Sequence, residues 1–218
     1  MNSLQVCSVS AYATVGSRLN LSALSISLKE HYKIDNAFDN TRVRKKHDSI
    51  EALTSSKTFF NSLSFYMKFS SNKKSHYLHI RVFTTGTIHI TGASDYEETT
   101  KRAFVMTYGL IAACHHIEKD ICIVQDISAF GLRQLRVAML QCLYHHTRVI
   151  DREATALNLQ HDGRNVRYDP RLHNSINVRF TGNNGAFLIF KSGKILVTGC
   201  KRVDTCMIEL EKLLPHLC

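Results

Sequence analysis

A passage near the middle of the chain is written a second time near its end. Residues 83–92 read F-T-T-G-T-I-H-I-T-G, and residues 190–199 read F-K-S-G-K-I-L-V-T-G. The phenylalanine, the turn glycine and the closing Thr-Gly recur at a constant separation of 107 residues: Phe83 to Phe190, Gly86 to Gly193, Thr91 to Thr198. Upstream, F-N-S-L-S-F-Y-M from Phe60 pairs with H-N-S-I-N-V-R-F from His173 at a separation of 113 residues. A longer hairpin in the first copy, around residues 70–75, accounts for the difference. Two copies of about a hundred residues each are too few to stack as a solenoid, so they predict a pseudo-twofold domain. The repeats are expected over residues 1–118 and 119–218.

The chain is long enough for one or two domains with real cores. Its 2 prolines, Pro170 and Pro215, and the lack of a Gly/Ser-rich stretch argue against two beads on a string. The balance of 28 Lys and Arg against 18 Asp and Glu leaves a formal charge of +10, which favours an anionic partner, nucleic acid first. No segment approaches the ~20 apolar residues of a membrane span, and the N-terminus lacks a signal-peptide pattern. The 7 cysteines are an odd number without a secreted-type framework, so they read as reduced thiols.

Residues 176–180 and 87–91 alternate apolar and polar with period two, the mark of a strand with one buried face. The turns T-T-G-T at Thr84 and K-S-G-K at Lys191 carry glycine where a left-handed backbone is expected. Each repeat therefore predicts an antiparallel meander followed by a helix. The first helix has a capping pattern at residues 94–97 and an apolar stripe of Ala103, Phe104, Met106, Tyr108, Leu110 and Ile111. The second has Met207, Leu210, Leu213 and Leu214, and Pro215 ends it. A strand and a shorter helix are expected to open each repeat: residues 6–15 with 19–28, then 121–127 with 132–143.

Helices cover one face of such a sheet. The other would show Ser64, Tyr66, Arg81, Phe83, Thr87, His89 and Thr91 in the first repeat. In the second it would show Asn177, Arg179, Leu188, Phe190, Lys194, Leu196 and Thr198. A solvated face does not need Phe83, Leu188, Phe190 and Leu196, and a core face does not accept Arg81, Arg179 and Lys194. The mixture suits a flat, anionic, partly apolar partner. The minor groove of DNA has apolar sugars between phosphate rims. A protein partner is the alternative.

These residues resemble the TATA-box-binding protein family. Residues 187–201, F-L-I-F-K-S-G-K-I-L-V-T-G-C-K, are similar to the family's L-I-F-x-S-G-K-hydrophobic-x-x-T-G-A-K signature. Tyr168-Asp169-Pro170-x-Leu172 resembles the Y-E-P-E-L before the second stirrup loop, and residues 9–21 resemble the opening strand and helix entry. The resemblance covers nearly the whole chain and points to a divergent core domain from a large DNA virus or a protist. It implies an α+β saddle, in which two pseudo-twofold repeats form a curved antiparallel sheet with helices on the convex face. It also implies binding and bending of A·T-rich promoter DNA through the minor groove in transcription initiation. The expected partners are double-stranded DNA, a transcription factor IIB-like protein at the second stirrup, and RNA polymerase machinery. Residues 147–167 read as a lengthening of that stirrup region. The expected location is the nucleus or a site of viral transcription, a cytoplasmic factory or the virion.

The family wedges phenylalanines between base steps, and is itself a known example of unstacking that costs a few kcal/mol per step. By motif the wedge positions are Phe60, Phe83, His173 and Phe190, with His173 a departure. The other residues expected to face DNA are Ser8, Ser10, Tyr66, Arg81, His89, Thr91, Asn177, Arg179, Leu188, Lys194, Leu196 and Thr198. Several depart from the family. Ser8 and Ile121 fall where it places central asparagines, Thr87 where it has a lysine, His89 where it has a small apolar residue, and Tyr66 where an arginine is usual. Arg81 and the basic run at residues 42–46 are candidate replacement cations. The departures also motivate a second reading: an interaction subunit of a transcription complex with little DNA binding of its own. Cys114-His115-His116, His145-His146 and Cys200-x5-Cys206 lack paired metal-ligand spacing. No P-loop, G-x-S-x-G or dinucleotide fingerprint occurs. Neither an enzyme nor a cofactor is expected.

Overall fold

The computed structural model describes residues 4–32, 61–71, 74–118, 120–180 and 185–218. Among these lie nine strands and four α-helices, in two units formed by residues 11–136 and by residues 1–10 with 137–218. The fold class is α+β.

In the 11–136 unit, strand β1 (Gln5–Thr14, whose first residues fall in the other unit) leads to helix α1 (Leu21–Tyr32). Strands β2 (Ser62–Ser71), β3 (Lys74–Phe83) and β4 (Thr87–Ala93) follow as an antiparallel meander, then helix α2 (Lys101–Ile117). The ten-residue strands β2 and β3 form the long hairpin expected in the first copy. Period-two alternation sends Leu63, Phe65, Leu78, Ile80, Val82, Ile88 and Ile90 to the helix side, where each is 0–1% exposed. Burial on that scale contributes about 1.5–3 kcal/mol per large apolar side chain. Leu24 and Leu28 of α1 and Ala103, Phe104 and Ile111 of α2 close the core. The Thr107 hydroxyl donates to Ala103 O at 2.8 Å and lies 3.7 Å from the Met67 thioether. Met106 departs from the expected stripe and is exposed, while Tyr108 stacks on Phe130 at 4.8 Å. The cap of this helix is Asp95, which accepts from the Glu98 and Thr99 amides at 3.0 and 2.7 Å. A π turn, Tyr96–Thr100, precedes the α-helical part.

The other unit repeats this plan. Strand β5 (Arg133–His145), helix α3 (Arg152–His161) and strand β6 (Val166–Arg167) come first. Strands β7 (Ser175–Arg179), β8 (Ala186–Phe190) and β9 (Lys194–Cys200) and helix α4 (Val203–Leu213) follow. Its strands run in the order β6-β7-β8-β9-β5, with all observed pairs antiparallel. Ile176, Val178, Phe187, Ile189, Ile195 and Val197 fill the helix side with Leu159, Cys206, Leu210 and Leu213. Met207, expected inside, is exposed.

The second repeat does not open where the sequence pattern placed it. Residues 121–127 form no strand; they belong to the 11–136 unit and brace its β1–α1 corner. The Asn20 amide donates to Ile123 O at 2.8 Å and the Gln125 amide to Arg18 O at 3.1 Å, with one isolated bridge between Leu19 and Val124. Residues 132–143 are not a helix but most of β5. Matching hydrogen bonds give the true correspondence. Val15 N donates to Gly86 O at 2.9 Å, and His146 N to Gly193 O at 2.8 Å. Leu19 N donates to Thr84 O at 2.9 Å, and Ile150 N to Lys191 O at 2.9 Å. Asn20 caps α1 through the Ala23 amide as Asp151 caps α3 through the Ala154 amide. The donors and the caps lie 131 residues apart, not 113, while the accepting turns keep the separation of 107. Residues 147–167 are therefore no lengthening, since they carry α3, the counterpart of α1, followed by the short strand β6. The extra length lies in the first copy, between α1 and β2.

The turn glycines are set by sterics. Gly86 has φ +81° and Gly193 φ +82°. A Cβ would lie 2.1 Å from Ser17 O at the first and 2.6 Å from His146 O at the second. Only glycine fits either place.

Candidate nucleic-acid interface

Alternation that buries one set of side chains presents the other set on the opposite face. In the 11–136 unit that face carries Ser64 and Tyr66 from β2, His79, Arg81 and Phe83 from β3, and Thr87, His89 and Thr91 from β4, none of them buried. Register assembles them into cross-strand rows. Ser64 lies beside Arg81 and Arg81 beside His89; Tyr66 lies beside His79 and His79 beside Thr91. The Arg81 Nε donates to the Ser64 hydroxyl at 3.4 Å, and the Tyr66 and His79 rings stand 5.0 Å apart. Burial first, then the neighbouring Arg81 guanidinium and His89, push His79 below the usual imidazole range. Burial and Arg81 do the same to His89. On this face two largely neutral imidazoles thus flank the permanent cation of Arg81.

In the other unit, Asn177 lies beside Leu188, Leu188 beside Leu196 and Leu196 beside Leu143 of β5. In the next row Arg179 lies beside Ala186, Ala186 beside Thr198, and Thr198 beside Gln141. Thr198 spends its hydroxyl proton on the Met139 thioether at 3.4 Å, so toward a ligand it offers its oxygen. The Asn177 Oδ1 is buried without a hydrogen-bond partner. Arg179 and Lys194 are exposed.

The wedge candidates fall at equivalent places. Phe83 pairs with Ser62 and Phe190 with Ser175, each as the last residue of its strand and each half-buried. Phe60 lies outside the described residues, as does the basic run 42–46. His173 is exposed in a turn where its amide and that of Leu172 donate to Asp169 O; Leu172 beside it is 72% exposed. Arg171 clamps the Asp169 carboxylate and holds it below its ordinary range. In the opening strand Ser8 is half-buried and Ser10 is 9% exposed. The 131-residue correspondence makes Met139 the counterpart of Ser8 and removes Ile121 from that role.

Face residues that escaped sequence reasoning include His79, Leu143 and Gln141. His79 was one alternation step before Arg81 and could have been read from the same period. Leu143 and Gln141 were hidden by taking β5 for a helix. A cluster with metal-ligand chemistry also comes together away from this face: Glu30, His31 and Glu118, with donor atoms within 4.8 Å of one another. Its His31 Nε2 and Glu118 Oε1 are 3.2 Å apart at the surface, so a hydrogen bond accounts for their approach.

Residues 152–218 match the family model described as transcription factor TFIID (or TATA-binding protein, TBP). A TATA-box-binding protein-like protein of Acanthamoeba polyphaga mimivirus is 24% identical over 209 residues, 85% of this chain. The chain spans 56% of the length of that relative. The TBP of Methanococcus jannaschii superposes with a TM-score of 0.63 at 15% identity, covering 98% of this chain and 97% of that one, which establishes the fold. With the duplicated meander and the paired turn glycines, these likenesses show that the chain has the fold of the TATA-box-binding proteins and that its residues 152–218 are similar to that family.

Proposed function

We propose that the chain is a TBP-type transcription factor that binds and bends A·T-rich duplex DNA through the minor groove. The observation that carries this reading is the pairing of Phe83 and Phe190. They occupy register-equivalent strand ends on the faces turned away from the helices, and both remain part-exposed. Large apolar side chains at such positions have a use as wedges between base steps. Arg179 and Lys194 contact phosphates, which position the protein without reading sequence. Thr91 and Thr198 approach base edges, and Ser8 and Ser10 line the opening strand. His173 is the weak wedge, and Leu172 stands ready to replace it. Groove shape and deformability supply most of the preference. The action requires no catalytic group and no cofactor.

A transcription factor IIB-like protein is the proposed partner at the second stirrup, with RNA polymerase recruited through it. The proposed location is the nucleus or a site of viral transcription. A second reading is favoured by the row Leu143, Leu188 and Leu196, which also suits a protein surface; the chain would then be an interaction subunit. End-to-end FRET on an A·T-rich and a matched G·C-rich duplex, with a salt titration, separates the two. A DNA-bending factor gives A·T-selective binding, a large bend and a steep negative slope of log affinity against log salt. Weak affinity for every duplex, with no bend, sinks the first reading.

A further inference from the structure

The same row of the sheet has opposite chemistry in the two units. Carried across by the repeat separations, Ser64, Arg81 and His89 occupy the places of Asn177, Leu188 and Leu196. His79 takes the place of Ala186. One row is built from hydrogen-bonding groups, the other chiefly from leucines.

The minor-groove floor distinguishes base pairs by one group. A·T and T·A present only acceptors, adenine N3 and thymine O2, whereas G·C adds the guanine 2-amino donor. Pressed against Leu143, Leu188 and Leu196, that amino group loses its water and gains no partner. Asn177, at the end of the row, has its Oδ1 buried. Such an orphaned donor weakens binding about tenfold or more. Opposite His79, Arg81 and His89 the outcome differs. A neutral imidazole has one donating and one accepting nitrogen, and the guanidinium only donates. Acceptors on A·T and the amino group on G·C can both be met there.

We infer that the two units read base composition unequally: residues 137–218 demand A·T because of Leu143, Leu188 and Leu196, while the 11–136 unit tolerates G·C because of His79, Arg81 and His89. This rests on the proposed minor-groove binding. It makes the preferred element asymmetric, strict on one half and permissive on the other, and so gives the bound protein a direction.

Inosine isolates the effect, because replacing guanine by inosine removes only the 2-amino group from the groove. Binding is measured to duplexes whose two halves are A·T/A·T, A·T/G·C and G·C/G·C, and to the same set with inosine for guanine. A·T/G·C is expected to bind within about threefold of A·T/A·T, and G·C/G·C about tenfold or more below it, with inosine recovering that loss. Arg81→Leu with His89→Leu copies the leucine row onto the first unit. Whatever it costs on A·T/A·T through the lost Arg81 cation, it is expected to widen the gap between A·T/G·C and A·T/A·T about tenfold, with inosine closing that gap. In case that variant folds poorly, Leu196→His in the other unit gives the reciprocal test: G·C/G·C should tighten. Tight binding with equal loss for each G·C half, or no response to inosine, overturns the inference and leaves minor-groove binding standing. Failure to bind any duplex overturns both.

Discussion

The two units share a backbone plan and differ in what they place on it. Their turns superpose in detail: Gly86 and Gly193 have the same left-handed φ and receive the same amide hydrogen bond from the strand before the first helix. Their helix-side residues are apolar in both, Phe65 and Phe187 included. The opposite faces have diverged, with His79, Arg81 and His89 in one and Ala186, Leu188 and Leu196 in the other. Packing holds the buried side to apolar residues of fixed volume, since cavities and strain both cost stability. The exposed side answers only to what it meets. Under the proposed minor-groove reading, divergence concentrated there is what two half-sites under different demands would leave.

The comparison is most easily broken at the phenylalanines. Phe190→Ala is expected to remove the bend at its end of the duplex and to weaken binding about a hundredfold, the loss of a few kcal/mol of wedging. Phe83→Ala should match it in FRET bending assays. If one substitution is silent, the units do not share a wedge mechanism.

The turns come next. Gly86→Ala and Gly193→Ala each force a Cβ against carbonyl oxygens at a positive φ. Each is expected to lower stability by about 2–4 kcal/mol, measured by urea unfolding. Gly86→Ala should be the worse, since its contact is 2.1 Å against 2.6 Å. A difference in the other sense would mean that the first turn relaxes more freely.

A smaller effect tests the cations. Lys194→Ala should make the salt dependence of duplex binding shallower by about one unit of slope, without changing base preference. Thr87→Lys, at the equivalent place, should steepen it by about one unit. Unchanged slopes would show that these positions do not reach phosphates.

The smallest expected effect concerns acid. Both His79 and His89 are held below the unfolded value of 6.5. Between the folded and unfolded values the unfolded chain binds more protons, so stability is full above pH 6.5 and declines as pH falls from there. Thermal unfolding at neutral and mildly acid pH should show this decline in wild type. It should be flatter in the His79→Gln, His89→Gln double variant. No such decline is expected from the leucine row.

Much of this was legible in the chain itself. The meanders announce themselves because period-two alternation and turn glycines are local signals, and duplication doubles each one. α2 and α4 are likewise marked by their stripes, although Met106 and Met207 lie on the exposed edge that a broad stripe includes by mistake. The opening of the second repeat misled. R-Q-L-R-V-A-M-L-Q-C-L-Y-H is rich in helix-favouring Leu, Ala, Met, Gln and Arg. Apolar residues so closely spaced fit a helix as well as a strand. Pairing with β9 decided for a strand, and propensity yielded. The chance recurrence of leucine at Leu19 and Leu132 lent the wrong alignment support. With β5 misread, Leu143 and Gln141 could not be placed on the face.

The sequence by itself determined the repeat, the meanders and which side chains share a face within each strand, because those follow from short-range periodicity and from turns only glycine can make. Tertiary structure alone decided which strands lie side by side, that residues 121–127 brace the β1–α1 corner, and that Leu143 joins Leu188 and Leu196. Hydrogen-bond ladders between distant segments leave no mark in either segment read alone.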